Sequence, residues 1–136
     1  MILDSSAIAS LFFRDDFTER VTKIVERVDE ELITLDFSLA EISNVAWKRI
    51  IIFNEDKAVI LKQLRNTLNF IKTLCSIVRI EDIIDGAINL AVDQRVPFYD
   101  SAFLYLASER NTTLLTTDKK LYSLANADLK KHIRLP

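Results

Sequence analysis

The chain has 136 residues, 49% of them hydrophobic, a net charge of −2 at pH 7 and a pI near 5.4. That length fits one domain with its own core, and the acidic balance argues against a protein that coats DNA through a basic surface. A single cysteine, Cys75, excludes an internal disulfide and a cysteine-based zinc site. With one glycine there is no glycine-rich phosphate loop, so Walker and dinucleotide fingerprints are absent.

No apolar run approaches the ~18 residues of a membrane span. Met1 leads straight into Ile2-Leu3-Asp4 without the basic start of a signal peptide, so the expected compartment is the cytoplasm. Met1-Ile2-Leu3 reads as a brief buried strand. Ser6 to Phe13 has helical apolar spacing, and Phe17, Val21, Ile24, Val25 and Val28 mark a second amphipathic helix. Leu32-Ile33-Thr34-Leu35 is the next strand. Ser38-Leu39-Ala40-Glu41 has the form of a capping box opening a helix to about Phe53. A long helix follows over roughly 55–74. Ile77-Val78-Arg79-Ile80 is a third strand candidate, and Asp82 is placed to cap a helix through Val92. Arg95-Val96-Pro97 is a break. Tyr99 to Ser108 is helical, Thr113-Leu114-Leu115-Thr116 is a fourth strand, a short helix starts near Asp118, and Ile133-Arg134-Leu135 forms a last edge strand. Strands alternating with helices predict an α/β fold with a parallel sheet covered on both faces.

In such sheets ligands bind outside the carboxyl ends of the strands. Four acids fall at that kind of junction. Asp4 follows the first strand, Glu41 lies in the first turn after the second, Asp100 opens the helix of Pro97-Phe98-Tyr99-Asp100-Ser101-Ala102, and Asp118 follows the fourth strand. Converging, they would repel one another unless cations sit among them. Oxygen donors without His or Cys select hard ions, which implies Mg²⁺ or Mn²⁺. Such a cluster can hold one or two metals that activate water for displacement at phosphorus. Each acid also has a structural reading, because Asp and Glu cap helix N-termini and complement the dipole. Asp4 and Asp118 stand where caps belong, and Glu41 has its box with Ser38. Asp100 is the hardest to explain that way, because its neighbours are apolar.

At these residues the sequence resembles the PIN-domain family, most closely its small VapC-type toxins. The resemblance lies in Ile2-Leu3-Asp4-Ser5-Ser6-Ala7, Leu39-Ala40-Glu41-Ile42-Ser43-Asn44-Val45, Tyr99-Asp100-Ser101-Ala102-Phe103-Leu104-Tyr105-Leu106-Ala107 and Leu114-Leu115-Thr116-Thr117-Asp118. It implies one PIN domain over 1–136, a three-layer α/β/α sandwich, and endoribonuclease activity on RNA with Mg²⁺ or Mn²⁺. It also implies a homodimer and a cognate antitoxin that blocks the site. Asp4, Glu41, Asp100 and Asp118 match the family's acidic positions, as catalytic residues and metal ligands. Thr116 matches a supporting hydroxyl, and Ser5 and Asn44 are expected as hydrogen-bonding partners of the ligands. Asn111-Thr112-Thr113 stands where relatives often carry a glycine turn, which leaves that loop's shape open.

Arg14, Lys48, Arg49, Lys119 and Lys120 are the basic residues nearest these motifs, as substrate guides or as solvated surface. Lys130-Lys131-His132 reads as surface, and Cys75 as packing rather than a nucleophile. Within Trp47 to Phe53, Ile50-Ile51-Ile52-Phe53 is apolar around the helix rather than on one stripe, which suits either an interface, for a second subunit or an antitoxin helix, or burial on several sides within one subunit. Three rival readings remain: a PIN nuclease of RNA processing or acting on DNA, without an antitoxin; an inactive PIN binding module; and a phosphoacceptor regulatory domain. The last wants an acid pair after the first strand, which Asp4-Ser5-Ser6 lacks.

Overall fold

The computed structural model describes residues 1–136. Strand β1 (Ile2–Leu3) is the centre of a five-stranded sheet of order β3-β2-β1-β4-β5, with β2 at Leu32–Leu35, β3 at Cys75–Val78, β4 at Leu114–Leu115 and β5 at Ile133–Arg134. All four pairings are parallel, and Ile2 lies between Ile33 and Leu114. Successive strand side chains point to opposite faces. Ile2 and Leu114 therefore enter one core, while Leu3 and Leu115 enter the other. Each buried Leu or Ile there contributes roughly 1.5–3 kcal/mol.

The two cores explain the long apolar helices. Helices α1 (Ser5–Phe12), α2 (Thr18–Val25), α3 (Ser38–Ile51) and α4 (Lys57–Leu74) cover the Leu3 face through Ile8, Val21, Ile42, Ile60 and Ile71. Helices α5 (Ile84–Gln94), α6 (Phe98–Glu109), α7 (Lys119–Leu124) and α8 (Ala127–Lys130) cover the Ile2 face through Ala87, Leu104, Leu121 and Leu129. The result is the expected three-layer α/β/α sandwich. No helix is long and apolar enough to cross a membrane.

Helix α6 is apolar on several sides because it is buried on several sides: Ala102, Phe103, Leu104, Leu106 and Ala107 all lie in the core. It packs closely on α5, where the only glycine of the chain lies under the Tyr105 ring. A Cβ on Gly86 would fall 2.0 Å from Tyr105 Cζ. Left-handed backbone falls instead on Asn54, Arg95 and Asn111. Asn111, at φ 48°, takes the turn before β4 that suits glycine, and asparagine tolerates that region.

Several sequence expectations need correction. The Ser38–Glu41 capping box does not form. Phe37 is the N-cap, without a side-chain bond, and the Ser38 hydroxyl lies 2.8 Å from Thr34 Oγ1 instead. The third strand starts at Cys75 rather than Ile77, because Leu32 opposite Cys75 sets the register. Ile80 already belongs to a 3₁₀ turn (Ile80–Asp82), pinned where its amide donates to Asp36 Oδ1 at 3.2 Å. Asp82 sits inside that turn and does not cap α5, whose N-cap is Ile83. Helix α8 was not expected. His132 is buried, not surface: it enters the layer just before β5, and its Nδ1 lies 3.1 Å from the Thr112 carbonyl. At the end of α3, Trp47, Ile51, Ile52 and Phe53 are exposed, Phe53 at 66%. Burial within one subunit is thus ruled out for them, while Ile50 packs against the core.

Candidate active site

The chain leaves β1 through Asp4, whose amide donates to the Leu115 carbonyl at 3.2 Å. The aspartate is therefore fixed at the carboxyl edge of the sheet before α1 begins. Its Oδ1 accepts from the Ala7 amide at 2.8 Å and the Ser6 hydroxyl at 2.7 Å. This is a true N-cap, and yet Asp4 is only 7% exposed. Burial pushes its carboxyl up from 3.8 to about 6, with the Thr116 hydroxyl and the cap bonds pulling down and the charge of Asp100 pushing up.

Glu41 reaches the same edge from α3. Its carboxylate accepts from the Ser5 hydroxyl, so the side chain spans from α3 to α1 instead of closing a cap on its own helix. Asp118 arrives from the segment after β4 and caps α7. Its Oδ1 accepts from the amides of Lys120 at 2.7 Å and Leu121 at 3.2 Å, and its own amide donates to Thr116 Oγ1 at 3.0 Å. Asp100 comes from the first turn of α6, where Pro97 is the N-cap and makes no side-chain bond. An edge-on aromatic row steadies this turn, with Phe37 5.2 Å from Phe103 and 5.4 Å from Tyr99 between ring centres. Burial, then Asp118 and then Glu41, raise the Asp100 carboxyl to about 6, against the charge of Lys120.

All four acids line one cleft of about 270 Å³ together with Ser5, Ser6, Asn44, Val45, Lys48 and Phe103. Capping and convergence thus coexist: Asp4 and Asp118 do both. Of the expected supporting residues, Ser5 holds Glu41, Thr116 lies behind the cleft holding the Asp118 amide, and Asn44 stands exposed on the wall. Ser6 was not anticipated. It donates to Asp4, accepts from the Thr117 amide at 3.0 Å and lies 3.5 Å from Thr116 Oγ1, so it ties the β1 and β4 exits together. A hydroxyl two residues after a capping aspartate was the available signal.

Among the basic residues, Lys48 alone lines the cleft. Arg49 is committed elsewhere, to Glu55 at 3.1 Å and to the carbonyls of Phe13 and Arg14. Arg14 faces a separate hollow with Asp15, Asp16 and Arg20. None of the ion pairs, Met1–Glu30, Arg49–Glu55 and Arg79–Glu81, touches the four acids. The cleft is therefore rich in negative charge without a direct protein counter-ion. The acids line the cleft without closing into a compact group of three that could hold an ion. The donors themselves, carboxylates with hydroxyls behind them, fit a hard oxygen-seeking cation. Cys75, whose thiol burial raises to about 11, stands in β3 and is no part of the site.

A model of the PIN domain matches residues 1–127. The chain belongs to the PIN-domain family. This PIN domain is 32% identical over 123 residues to Ribonuclease VapC3 of Pyrobaculum aerophilum, covering 89% of this chain and 91% of that protein. It is 29% identical over 93 residues to Exonuclease VapC9 of the same organism, covering 68% of this chain and 65% of that one. The fold matches the crystal structure of PAE2754 from Pyrobaculum aerophilum with a TM-score of 0.70 at 21% identity, over 97% of this chain and 81% of that chain.

Proposed function

We propose that this PIN domain is a Mg²⁺- or Mn²⁺-dependent endoribonuclease, the toxin of a type II toxin–antitoxin pair. One observation carries the reading: Asp4, Glu41, Asp100 and Asp118, from four separate segments, line one cleft at the carboxyl edge of the sheet. When bound, the ion supplies Lewis acidity and an activated water for hydrolysis of a phosphodiester. The protein's part is positioning. Asp4 is the fixed ligand, held by α1 and buried. Asp100 and Glu41 complete the set from α6 and α3, and Asp118 adds the α7 side. Ser5 orients Glu41, Thr116 orients the Asp118 segment, and Asn44 offers an amide to a substrate oxygen. The raised carboxyls of Asp4 and Asp100 support a site built to be completed by a cation, since metal binding and loss of these protons are linked.

The likeness to Ribonuclease VapC3 supports RNA as substrate. The likeness to Exonuclease VapC9 favours a second reading, attack from strand ends, and a circular RNA separates the two. Trp47, Ile51, Ile52 and Phe53, exposed towards the end of α3, offer an apolar surface that suits an antitoxin. Ile84, Ile88 and Val92 form a second exposed apolar stripe on α5, in the opposite layer, which suits the twin subunit of a homodimer. The cytoplasm is the compartment this function requires.

The test is cleavage of single-stranded RNA against a Mg²⁺ or Mn²⁺ titration. Wild-type protein should cleave only with the ion. Asp100→Asn, which loses no hydrogen bond, should abolish cleavage while circular dichroism shows an intact fold. Undiminished cleavage by purified Asp100→Asn protein would refute the assignment, and a wild-type protein indifferent to both ions would instead be a binding module. Co-purification with a small inhibitory protein tests the antitoxin.

A further inference from the structure

Two lysines flank the carboxylate cleft from opposite layers of the sandwich. Lys48 lines it from α3, on the same helical face as Glu41, Asn44 and Val45, spaced at three- and four-residue steps. Lys120 stands in the first turn of α7, where its amide meets Asp118 Oδ1 at 2.7 Å. Its charge draws the Asp100 carboxyl down against burial and the neighbouring acids. Both side chains are exposed.

Neither lysine pairs with the acids beside it; the ion pairs of the molecule all lie elsewhere. Lysines that served to neutralise the carboxylates would sit in contact with them. An ammonium offers three donors and needs acceptors, and these two keep theirs free on either flank of a cleft that otherwise repels polyanions. The cleft between them, at about 270 Å³, is lined from both layers.

We propose that Lys48 and Lys120 are positioning residues that hold the phosphates on either side of the reacting one. The RNA strand then crosses the carboxyl edge of the sheet from the α3 layer to the α7 layer. This rests on the nuclease reading above. Lysine suits the role as a point charge on a flexible stem, which tolerates any base sequence.

The experiment is steady-state cleavage of a single-stranded RNA oligonucleotide at fixed Mg²⁺, from roughly 50 to 200 mM salt. Wild type, Lys48→Gln, Lys120→Gln and the double variant are compared, with Lys119→Gln as a control for the same charge change one residue away. Each phosphate contact on a single strand contributes about 0.7 to the slope of log affinity against log salt. Each single variant should flatten the slope of log(1/KM) by about 0.7 and the double by about 1.4, with the loss in KM rather than kcat. Lys48→Arg should restore the slope, and Lys119→Gln should keep it. Wild-type slopes in both single variants, or losses confined to kcat and Tm, would overturn the proposal. Should the wild type cleave no RNA with either ion, the nuclease reading itself fails and this inference with it.

Discussion

Asp4→Asn should make the protein more stable and inactive at once. A carboxyl raised from 3.8 to about 6 by burial binds a proton more tightly folded than unfolded. Between those two values, stability falls as pH rises, and above the upper value the whole cost is present. At 1.36 kcal/mol per pH unit the cost above pH 6 is about 3 kcal/mol. Asparagine removes the charge but keeps an oxygen for the Ala7 amide and the Ser6 hydroxyl, and it is as good an N-cap as aspartate. Its amide group needs an acceptor in a buried setting, which takes back about 1–2 kcal/mol. The net gain at pH 7.5 is then about 1–2 kcal/mol, a rise of roughly 3–8 °C in Tm for a chain of this size. The assay is thermal unfolding by circular dichroism in chelator, at pH 7.5 and pH 4. Asp4 of the wild type is protonated at pH 4, so the advantage of the variant should vanish there. Mg²⁺ should then raise the wild-type Tm more than that of the variant, because only the native wild-type site gains the full binding energy. A variant less stable than wild type at pH 7.5, or equally advantaged at both pH values, would refute the reasoning.

Two further outcomes follow from single contacts. Thr116→Val keeps the shape of a fully buried side chain but leaves the Asp118 amide without its 3.0 Å acceptor; it should cost about 1–3 kcal/mol by chemical denaturation, and carboxyl NMR should find Asp4 titrating higher still. Arg95→Gly relieves a left-handed residue at φ 54°. Relief of about 1–2 kcal/mol exceeds the extra chain entropy of about 0.5–1 kcal/mol, so denaturant unfolding should show a modest gain with cleavage unaltered.

Much of the fold was legible because its signals are local. The apolar dipeptides of β1 and β4 and the spacing of α3, α4 and α6 are written in short windows, and short strands between long helices admit few arrangements. The errors share a cause. Ser38 and Glu41 have the letters of a capping box, but the Ser38 hydroxyl turns back to Thr34 towards the end of β2, and Glu41 is taken by Ser5 from α1, a partner that no local window contains. Ile77 looked like a strand start because Cys75 and Ser76 are weak signals alone; pairing with Leu32 and Ile33 makes them strand. His132 looked like the end of a basic surface run until β5 drew it inward.

The acids divide along the same line. Sequence by itself determined that Asp4, Glu41, Asp100 and Asp118 stand at strand-to-helix or helix-opening positions, since the hydrophobic periods on each side fix where elements meet. Only the tertiary structure decided that they share one cleft, that Asp4 is buried while its neighbours are partly open, and that Lys48 rather than Arg49 faces them. Those facts depend on which strands lie side by side and which way each helix is rolled. Both are set by long-range packing of the two cores, whose energies sum over contacts that adjacent residues do not make.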